Sequence, residues 1–73
     1  MTLKEAKAGM TVKVVSLEHS DLKQRLMSLG LIKGTVIKVL RSAPLGDPMA
    51  ISLRAYNLSL RLADADKIKV EVV

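Results

Sequence analysis

The sequence predicts a mainly β fold: a small closed barrel of about five strands that carries one α-helix. Three observations support this fold class. The chain has 73 residues, of which 49% are hydrophobic, so we expect a single domain over residues 1–73 with a packed core. Five short runs are rich in β-branched or alternating apolar residues and are separated by turn residues. One segment between the first two runs has helical periodicity instead.

The charge distribution restricts the class of partner. The formal net charge is +5 and the sequence pI is about 9.9. Residues 1–46 carry eight Lys/Arg and three Asp/Glu, whereas residues 47–73 carry four of each. A basic half attracts nucleic acid, an anionic membrane leaflet or an acidic protein surface, or it keeps a small protein in solution. Nucleic acid is disfavoured, because Tyr56 is the only aromatic residue and single-strand binders stack bases on several.

Targeting and redox features indicate a cytoplasmic protein. The sequence has no apolar run of about 18 residues, so it predicts no transmembrane helix. The first ten residues, MTLKEAKAGM, lack the basic start and apolar stretch of a signal peptide. The absence of cysteine excludes disulfides and thiolate metal sites, and a small domain without either an export signal or disulfides is most simply cytoplasmic.

The first elements are a short helical turn near residues 3–8 and a strand. Thr2 and Glu5 have the spacing of a capping box, and Gly9 ends the turn. Residues 10–18, MTVKVVSLE, are rich in β-branched residues and predict a strand with apolar residues on both faces, as in a barrel wall that is partly covered outside. Alternation places Val12 and Val14 on one face, and Val15 and Leu17 on the other.

An α-helix is predicted at about residues 21–29, inserted after the first strand. Ser20 and Asp21 are both suitable N-caps. Gly30 ends the helix, because glycine adopts a left-handed C′ conformation at little cost. Apolar residues at the spacing i, i+4, i+7 form one stripe: Leu22, Leu26 and Leu29.

The two glycines of GLIKGT, Gly30 and Gly34, raise the alternative of a phosphate-binding loop. A P-loop has the pattern GxxxxGK[ST] after a strand and before a helix. Here the order is helix, glycine segment and strand, and the spacing and the lysine position also differ. We therefore reject nucleotide binding for this segment and assign Gly34 to a tight turn into the second strand.

The second and third strands flank a proline-rich turn. Residues 35–43 predict the second strand, and residues 44–48, PLGDP, predict a turn. Residues 49–55 predict the third strand by alternation. Alternation places Ile37 and Val39 on one face of the second strand, and Val36, Lys38 and Leu40 on the other. In the third strand it places Met49, Ile51 and Leu53 on one face, and Ala50, Ser52 and Arg54 on the other.

The last elements complete the barrel. Tyr56-Asn57 is expected to form a two-residue hairpin turn before a fourth strand at residues 58–61. A helical or 3₁₀ turn is expected near residues 63–67, and residues 68–73 predict a closing strand. Its inward residues are Ile68 and Val70, with Val72 as a third candidate. Because five short strands cannot bury themselves as an open sheet, we expect an SH3-like barrel with the helix packed on it.

Catalytic chemistry is not indicated. His19 is the only histidine and lies in a polar segment before the helix, which is typical of a solvated loop residue. Asp64 and Asp66 are two carboxylates in a polar turn and offer at most a weak site for a hard metal ion. One histidine cannot form a dedicated ferrous or zinc site. We therefore expect no enzyme activity, no metal site and no cofactor.

The remaining features are candidate contact residues. The turn at residues 43–48, stiffened by two prolines, holds the bulky apolar Leu45, which either folds back over the barrel end or forms a preorganised contact loop. Arg25 borders the apolar stripe of the helix, and Arg61 ends the fourth strand. Each arginine either packs its stem and pairs with a carboxylate or with loop carbonyls, or it is available to an acidic partner.

Several short motifs follow one another along nearly the whole chain. They are Gly9, Arg25-Leu26, Leu29-Gly30-Leu31, Gly34-Thr35, Pro44-Leu45-Gly46-Asp47-Pro48, Leu60-Arg61, Ala65, and Ile68 with Val70. In this order and spacing the sequence resembles the FeoA family, ferrous iron transport protein A, and the segments RLMSLGLIKGT and APLGDP together are specific. The family often has glycine at the position of Ala55, so the hairpin turn before Tyr56 is expected to differ locally.

The resemblance implies an SH3-like cytosolic barrel of the prokaryotic ferrous iron uptake system. It implies an accessory partner of FeoB, a membrane transporter with a cytoplasmic GTP-binding domain. The same small fold occurs at the C-terminal end of iron-dependent repressors of the DtxR type, as a regulatory, protein-contacting module. Family-level descriptions also attach transition-metal binding to it, although this sequence offers few ligands.

We therefore expect a protein–protein interaction module that binds the cytoplasmic portion of a FeoB-type transporter. The alternatives are a transition-metal-binding or sensing module and a basic nucleic-acid-binding barrel. A homodimer would form if residues 68–73 paired edge to edge with a second copy. The candidate partner-binding residues are Arg25, Leu45, Gly46, Asp47 and Arg61, and the expected structural turns lie at Gly9, Gly30, Gly34, Pro44 and Pro48.

Overall fold

The computed structural model describes residues 1–18, 22–41, 48–54 and 56–73. The elements within these ranges are a 3₁₀ turn (Leu3–Glu5), β1 (Thr11–Leu17), α1 (Leu22–Ser28), β2 (Val36–Arg41), β3 (Met49–Ser52), β4 (Asn57–Leu60), α2 (Leu62–Ala65) and β5 (Ile68–Val72). This order confirms the predicted mainly β fold, with α1 inserted between the first two strands. The predicted helix caps Ser20 and Asp21 lie outside the described residues.

The five strands pair antiparallel in one sheet of order β4-β3-β2-β1-β5. Within the described ranges no pairing joins β4 to β5, so hydrogen bonds do not close the sheet. The two end strands nevertheless bury Leu60 and Ile68 in the same hydrophobic core. The predicted barrel is therefore not closed by hydrogen bonds within these ranges, although its two end strands share one core.

The core collects apolar side chains from every strand and from both helices. The alternation predicted for the first three strands is confirmed for their inward residues, and α1 contributes Leu26, whereas Leu29 is only partly buried. Complete burial of a Val, Leu, Ile or Met side chain stabilises the fold by about 1.5–3 kcal/mol. The buried hydrophobic residues are Leu3, Ala6, Val12, Val14, Leu26, Leu31, Ile37, Val39, Met49, Ile51, Leu53, Leu60, Ala65, Ile68 and Val70.

A β-bulge in β1 corrects one predicted face. Val14 lies opposite Val70, but the next paired residue is Ser16, so Val15 is an extra residue without a partner position. Leu17 then lies opposite Ile68 and packs against the core. The prediction that Leu17 shares the outer face with Val15 is wrong, because the bulge shifts the alternation by one residue.

A second bulge lies in β2 at Leu40. Val39 pairs with Ile51, and the next paired residue is Arg41, opposite Ala50. Regular alternation from Val39 would have turned the Arg41 side chain into the core. The bulge keeps Arg41 exposed and leaves Leu40 on the surface, where the sequence placed it.

The hairpin between β3 and β4 has a four-residue loop. Ser52 pairs with Asn57, and the Leu53 N–H donates to the Tyr56 carbonyl oxygen at 2.8 Å. Asn57 therefore belongs to β4, and the predicted two-residue turn at Tyr56-Asn57 is wrong. The physical reason is that Leu53 continues the inward alternation and is buried at the start of the loop. Ala55 lies outside the described residues, so the local difference expected there stays a prediction.

The N-terminal residues lie along the outer edge of β5. Thr2 forms an isolated antiparallel bridge with Lys69, and the Val70 N–H donates to the Met1 carbonyl oxygen at 2.9 Å. Part of the edge that a second copy would need is therefore occupied. Edge-to-edge pairing with a second copy requires an uncovered edge, and the homodimer stays a prediction.

The predicted capping box is present around the 3₁₀ turn, which is shorter than the expected 3–8. Glu5 Oε1 accepts hydrogen bonds from the Thr2 N–H at 2.8 Å and from the Thr2 hydroxyl at 3.3 Å. The backbone hydrogen bond from Thr2, followed by the hydroxyl bond, lowers the pKa of the Glu5 carboxyl from its ordinary value of 4.5.

The C-terminal part differs from expectation at one residue. The helical turn expected near residues 63–67 is confirmed as α2, which spans Leu62–Ala65 and buries Ala65. Val72 lies opposite Val12 and so shares its face, but it is 59% exposed. The inward burial proposed for Val72 is wrong, because it lies near the end of an edge strand.

Candidate interaction surfaces

The C-terminus of α1 is held by a Schellman motif. The Gly30 N–H donates to the Met27 carbonyl and the Leu31 N–H donates to the Leu26 carbonyl, both at 3.0 Å. Gly30 has φ of +98°, the left-handed conformation expected of a C′ residue. Leu26 and Leu31 are both buried, which is the apolar contact that accompanies this motif. The direction in which the chain leaves α1 is therefore fixed.

A β-turn at residues 32–35 follows directly. The Thr35 N–H donates to the Ile32 carbonyl at 3.0 Å, and the third residue, Gly34, has φ of +90°, as a type II turn requires. The Thr35 hydroxyl donates to the Gly30 carbonyl at 3.0 Å and accepts from the Ile32 N–H at 3.3 Å. Val14 exchanges hydrogen bonds with Gly34 (2.8 Å) and Thr35 (2.9 Å), so the turn is tied to β1.

This arrangement produces a groove of about 330 Å³, which we call the α1 groove. Its base is the bulged end of β1, one wall is α1, and the other wall is the turn at residues 32–35. Its lining residues are Val15, Ser16, Leu17, Lys23, Met27, Ile32 and Lys33.

A larger open groove of about 690 Å³ lies on the other side of the same segment, and we call it the Tyr56 groove. Gly30 and Gly34 contribute to it, together with the loop between β3 and β4. The Tyr56 hydroxyl lies 3.5 Å from the position that a Cβ on Gly30 would occupy. The lining includes Gly30, Gly34, Val36, Lys38, Arg54 and Tyr56.

The charges around both grooves are basic. The α1 groove carries Lys23 and Lys33, the Tyr56 groove carries Lys38 and Arg54, and neither lining contains a carboxylate. Within the described part of the chain, the single ion pair joins Lys13 to Glu71 at 3.8 Å, elsewhere on the sheet. The groove cations therefore remain available to an external anionic group.

The structure describes two of the five residues that the sequence proposed for partner binding. Arg25 on α1 and Arg61 before α2 are exposed, belong to neither groove lining, and form no ion pair with the described residues. Leu45, Gly46, Asp47 and Pro44 lie outside the described residues, and so does His19. The described Pro48 is exposed just before β3, and Gly9 also has positive φ, +89°.

Sequence reasoning missed the apolar lining of the α1 groove. Val15, Met27 and Ile32 are 41%, 45% and 47% exposed and come from three separate elements. One sequence signal was available, because Ile32 and Lys33 lie between Gly30 and Gly34. The turn at residues 32–35 leaves both side chains exposed. The bulge that places Val15 at the base of the groove has no signature in the local sequence.

The described residues do not combine into a metal centre. No three His, Cys, Asp or Glu residues within the described ranges come together as a metal site. Asp64 is partly exposed and Asp66 is exposed, and the N–H of Asp66 donates within α2 to the Leu62 carbonyl at 2.9 Å. No helix in these ranges has the length and apolar character needed to span a bilayer.

The fold and its grooves define a small SH3-like domain with two basic, partly apolar grooves on its surface. A family model described as "FeoA domain" matches residues 1–72. The chain belongs to the FeoA family, whose named members are Fe(2+) transport proteins.

Relatives and solved structures agree with this assignment. The chain is 36% identical over its full length to the Fe(2+) transport protein A/Fe(2+) transporter FeoB fusion protein of Porphyromonas gingivalis, of which it spans 9%. The NMR structure of an FeoA-like protein from Clostridium acetobutylicum is 39% identical, with a TM-score of 0.92, and the match covers 100% of this chain and 86% of that one.

Two further structures extend the comparison. Stenotrophomonas maltophilia FeoA complexed with zinc, described as a prokaryotic SH3 domain protein, is 26% identical with a TM-score of 0.85, and the match covers 97% of this chain and 89% of that one. A manganese-dependent transcriptional repressor is 18% identical with a TM-score of 0.89, over 99% of this chain and 40% of the repressor. At that identity the repressor shows the fold alone, and it confirms that this fold also occurs within metal-dependent repressors.

Proposed function

We propose that the chain is a cytoplasmic accessory module of ferrous iron uptake that binds the cytoplasmic portion of a FeoB-type transporter and performs no reaction itself. The observation that carries this proposal is the fusion protein of Porphyromonas gingivalis, in which a segment matching this whole chain is joined to a FeoB transporter. Covalent fusion keeps two parts at high effective concentration, which benefits parts that act together. Where the two parts are not covalently joined, binding must provide the same proximity.

The surface chemistry supports a binding role. Exposed apolar residues gather in the α1 groove, which is bordered by Lys23 and Lys33 and has no carboxylate in its lining. Apolar centres with polar or charged rims are typical of protein interaction sites.

The direct test is binding of this chain to the purified cytoplasmic portion of the FeoB-type transporter encoded in the same genome. Titration calorimetry is expected to give saturable binding, and deletion of this chain is expected to reduce ferrous iron uptake by cells. Absence of binding together with unchanged uptake would contradict the proposal.

The sequence-based site on the turn at residues 43–48 is tested by Leu45→Asp in the same assays. If Leu45→Asp leaves binding and uptake unchanged, this turn is not the contact. Arg25→Ala and Arg61→Ala test the two arginines in the same way.

Metal binding is the second candidate, and the zinc complex of the Stenotrophomonas maltophilia protein favours it. The donor set described in this chain does not fit zinc, because no three ligating side chains come together and cysteine is absent from the sequence. Titration of the purified chain with ferrous iron and with zinc is therefore expected to show no saturable site, and a stoichiometric site would revive this candidate.

A further inference from the structure

We infer that the α1 groove is the docking site for an acidic segment of the transporter's cytoplasmic portion, one whose apolar side chains are flanked by carboxylates. This inference rests on the proposed function and adds the surface and the chemistry of the contact. The first argument is convergence. Single exposed apolar residues are ordinary on protein surfaces, whereas here the base and both walls of one groove each contribute one.

The second argument is rigidity. The Schellman motif at Gly30 fixes the end of α1, and the Thr35 hydroxyl ties the turn at residues 32–35 to the Gly30 carbonyl. Hydrogen bonds from Val14 fix the same turn to β1. A groove whose walls are already ordered loses little conformational entropy on binding, so its apolar contacts contribute more fully to affinity.

The third argument is charge complementarity, and it selects the occupant. Lys23 lies on α1 four residues before Met27, so the two share a face of the helix, and Lys33 lies on the opposite wall. Neither lysine forms an ion pair with any described residue. Two cations facing each other across an apolar centre match a segment with apolar residues in the middle and Asp or Glu on both sides.

The experiment measures the affinity of the full chain for the purified cytoplasmic portion of the transporter. Met27→Glu places a carboxylate in the apolar centre, and the double variant Lys23→Glu/Lys33→Glu reverses the rim. Met27 is exposed and glutamate has similar helix propensity, so the fold is expected to tolerate the change. Val36→Glu and Lys38→Glu are matched controls, because Val36 is 49% exposed and both residues line the Tyr56 groove instead.

We expect Met27→Glu to weaken binding by about tenfold or more at about 0.05 M salt and to keep a clear loss at about 0.5 M salt, since the carboxylate disrupts the apolar centre as well as repelling an acidic segment. The rim variant is expected to weaken binding by about tenfold at about 0.05 M salt, and by much less at about 0.5 M salt, where charges are screened. The two control variants are expected to bind like the unmodified chain.

A second measurement identifies the chemistry of the occupant. Carbodiimide cross-linking joins lysine amines to carboxylates in contact with them, and peptide mass spectrometry locates the products. Cross-links from Lys23 and Lys33 to one Asp/Glu-containing segment of the transporter portion are the expected result. Cross-links scattered over the transporter portion, with none shared by the two lysines, would overturn the inference.

The remaining outcomes separate this inference from the proposed function. If the unmodified chain binds and the α1 groove variants bind equally well, the groove assignment is wrong while the proposed function stands. Loss of binding in the controls alone would move the contact to the Tyr56 groove and also overturn the inference. If the unmodified chain does not bind the transporter portion at all, both the groove inference and the proposed function are contradicted. Binding to vesicles of anionic lipid that depends on Lys23 and Lys33, without binding to the transporter portion, would replace the acidic segment by a membrane surface.

Discussion

Replacing Gly30 by alanine tests the local geometry that sets the end of α1. Gly30 has φ of +98°, which an L-residue with a Cβ adopts at a cost of about 1–2 kcal/mol. Alanine also reduces the entropy of the unfolded chain, which offsets about 0.5 kcal/mol of that cost. A Cβ would lie 3.5 Å from the Tyr56 hydroxyl and 3.8 Å from Leu53 Cδ1, which is ordinary van der Waals contact. The structure therefore gives a net loss of about 1 kcal/mol from backbone strain alone.

Gly34→Ala is the matched comparison for this substitution. Gly34 has φ of +90° and no heavy atom within 4 Å of its Cβ position. Its backbone strain is therefore the same and its surroundings are open. The two variants should lose equal stability, within about 0.5 kcal/mol.

The assay is urea denaturation followed by far-UV circular dichroism. For a domain of this size the slope is about 1 kcal/mol per molar urea, so each variant should lower the midpoint by about 1 M. Gly30→Asn should recover part of the loss, because asparagine tolerates the left-handed region better than alanine. An unchanged midpoint for Gly30→Ala would refute the Schellman geometry. A loss of about 3 kcal/mol for Gly30→Ala, with about 1 kcal/mol for Gly34→Ala, would mean that the added Cβ clashes with its neighbours. That result would refute the ordinary van der Waals contact with Tyr56.

Leu26→Ala should lower stability by about 2–5 kcal/mol in thermal denaturation, because Leu26 is 2% exposed, whereas Met27→Ala at the exposed neighbouring position should change it by less than about 0.5 kcal/mol. Thr35→Val should cost about 1 kcal/mol and weaken transporter binding, since it removes the hydroxyl that ties the turn to Gly30; unchanged binding would show that the turn need not be held. Glu5→Gln should lower the urea midpoint at neutral pH, and the difference should disappear as the solution is acidified through the lowered pKa of Glu5. A lowered pKa contributes stability above the unfolded pKa, and that contribution is lost as pH falls through the folded pKa, so a pH-independent difference would contradict this prediction.

The sequence was most informative where a single local rule decides the structure. The apolar stripe and Gly30 placed α1 correctly, because helix periodicity and a left-handed C′ residue are both local signals. Inward alternation in the second and third predicted strands was also confirmed, since the period of a strand is fixed by its backbone.

Errors arose where pairing between strands overrides alternation. Nothing in MTVKVVSLE marks Val15 as a bulge residue, because the bulge is defined by the register against β5. The same holds for Asn57, whose place in β4 follows from pairing with Ser52. Register is a property of two strands, so one strand's composition cannot reveal it.

The candidate site depended on the same non-local information. Val15, Met27 and Ile32 are far enough apart in the sequence that no motif contains all three, and each alone resembles an ordinary exposed residue. Once the Val15 bulge is placed beside α1 and the turn at residues 32–35, the three side chains line one groove. The grouping is therefore created by the fold, and the sequence contributes only the residue types.

The segment from Gly30 to Val36 separates the α1 groove from the Tyr56 groove and contributes lining residues to both. The Thr35 hydroxyl ties this segment to the Gly30 carbonyl, and backbone hydrogen bonds tie it to Val14 on β1. A wall held in this way is expected to stay in place when a partner occupies the α1 groove, so the Tyr56 groove should keep its shape. This is the physical reason why variants in the Tyr56 groove should leave binding at the α1 groove unchanged.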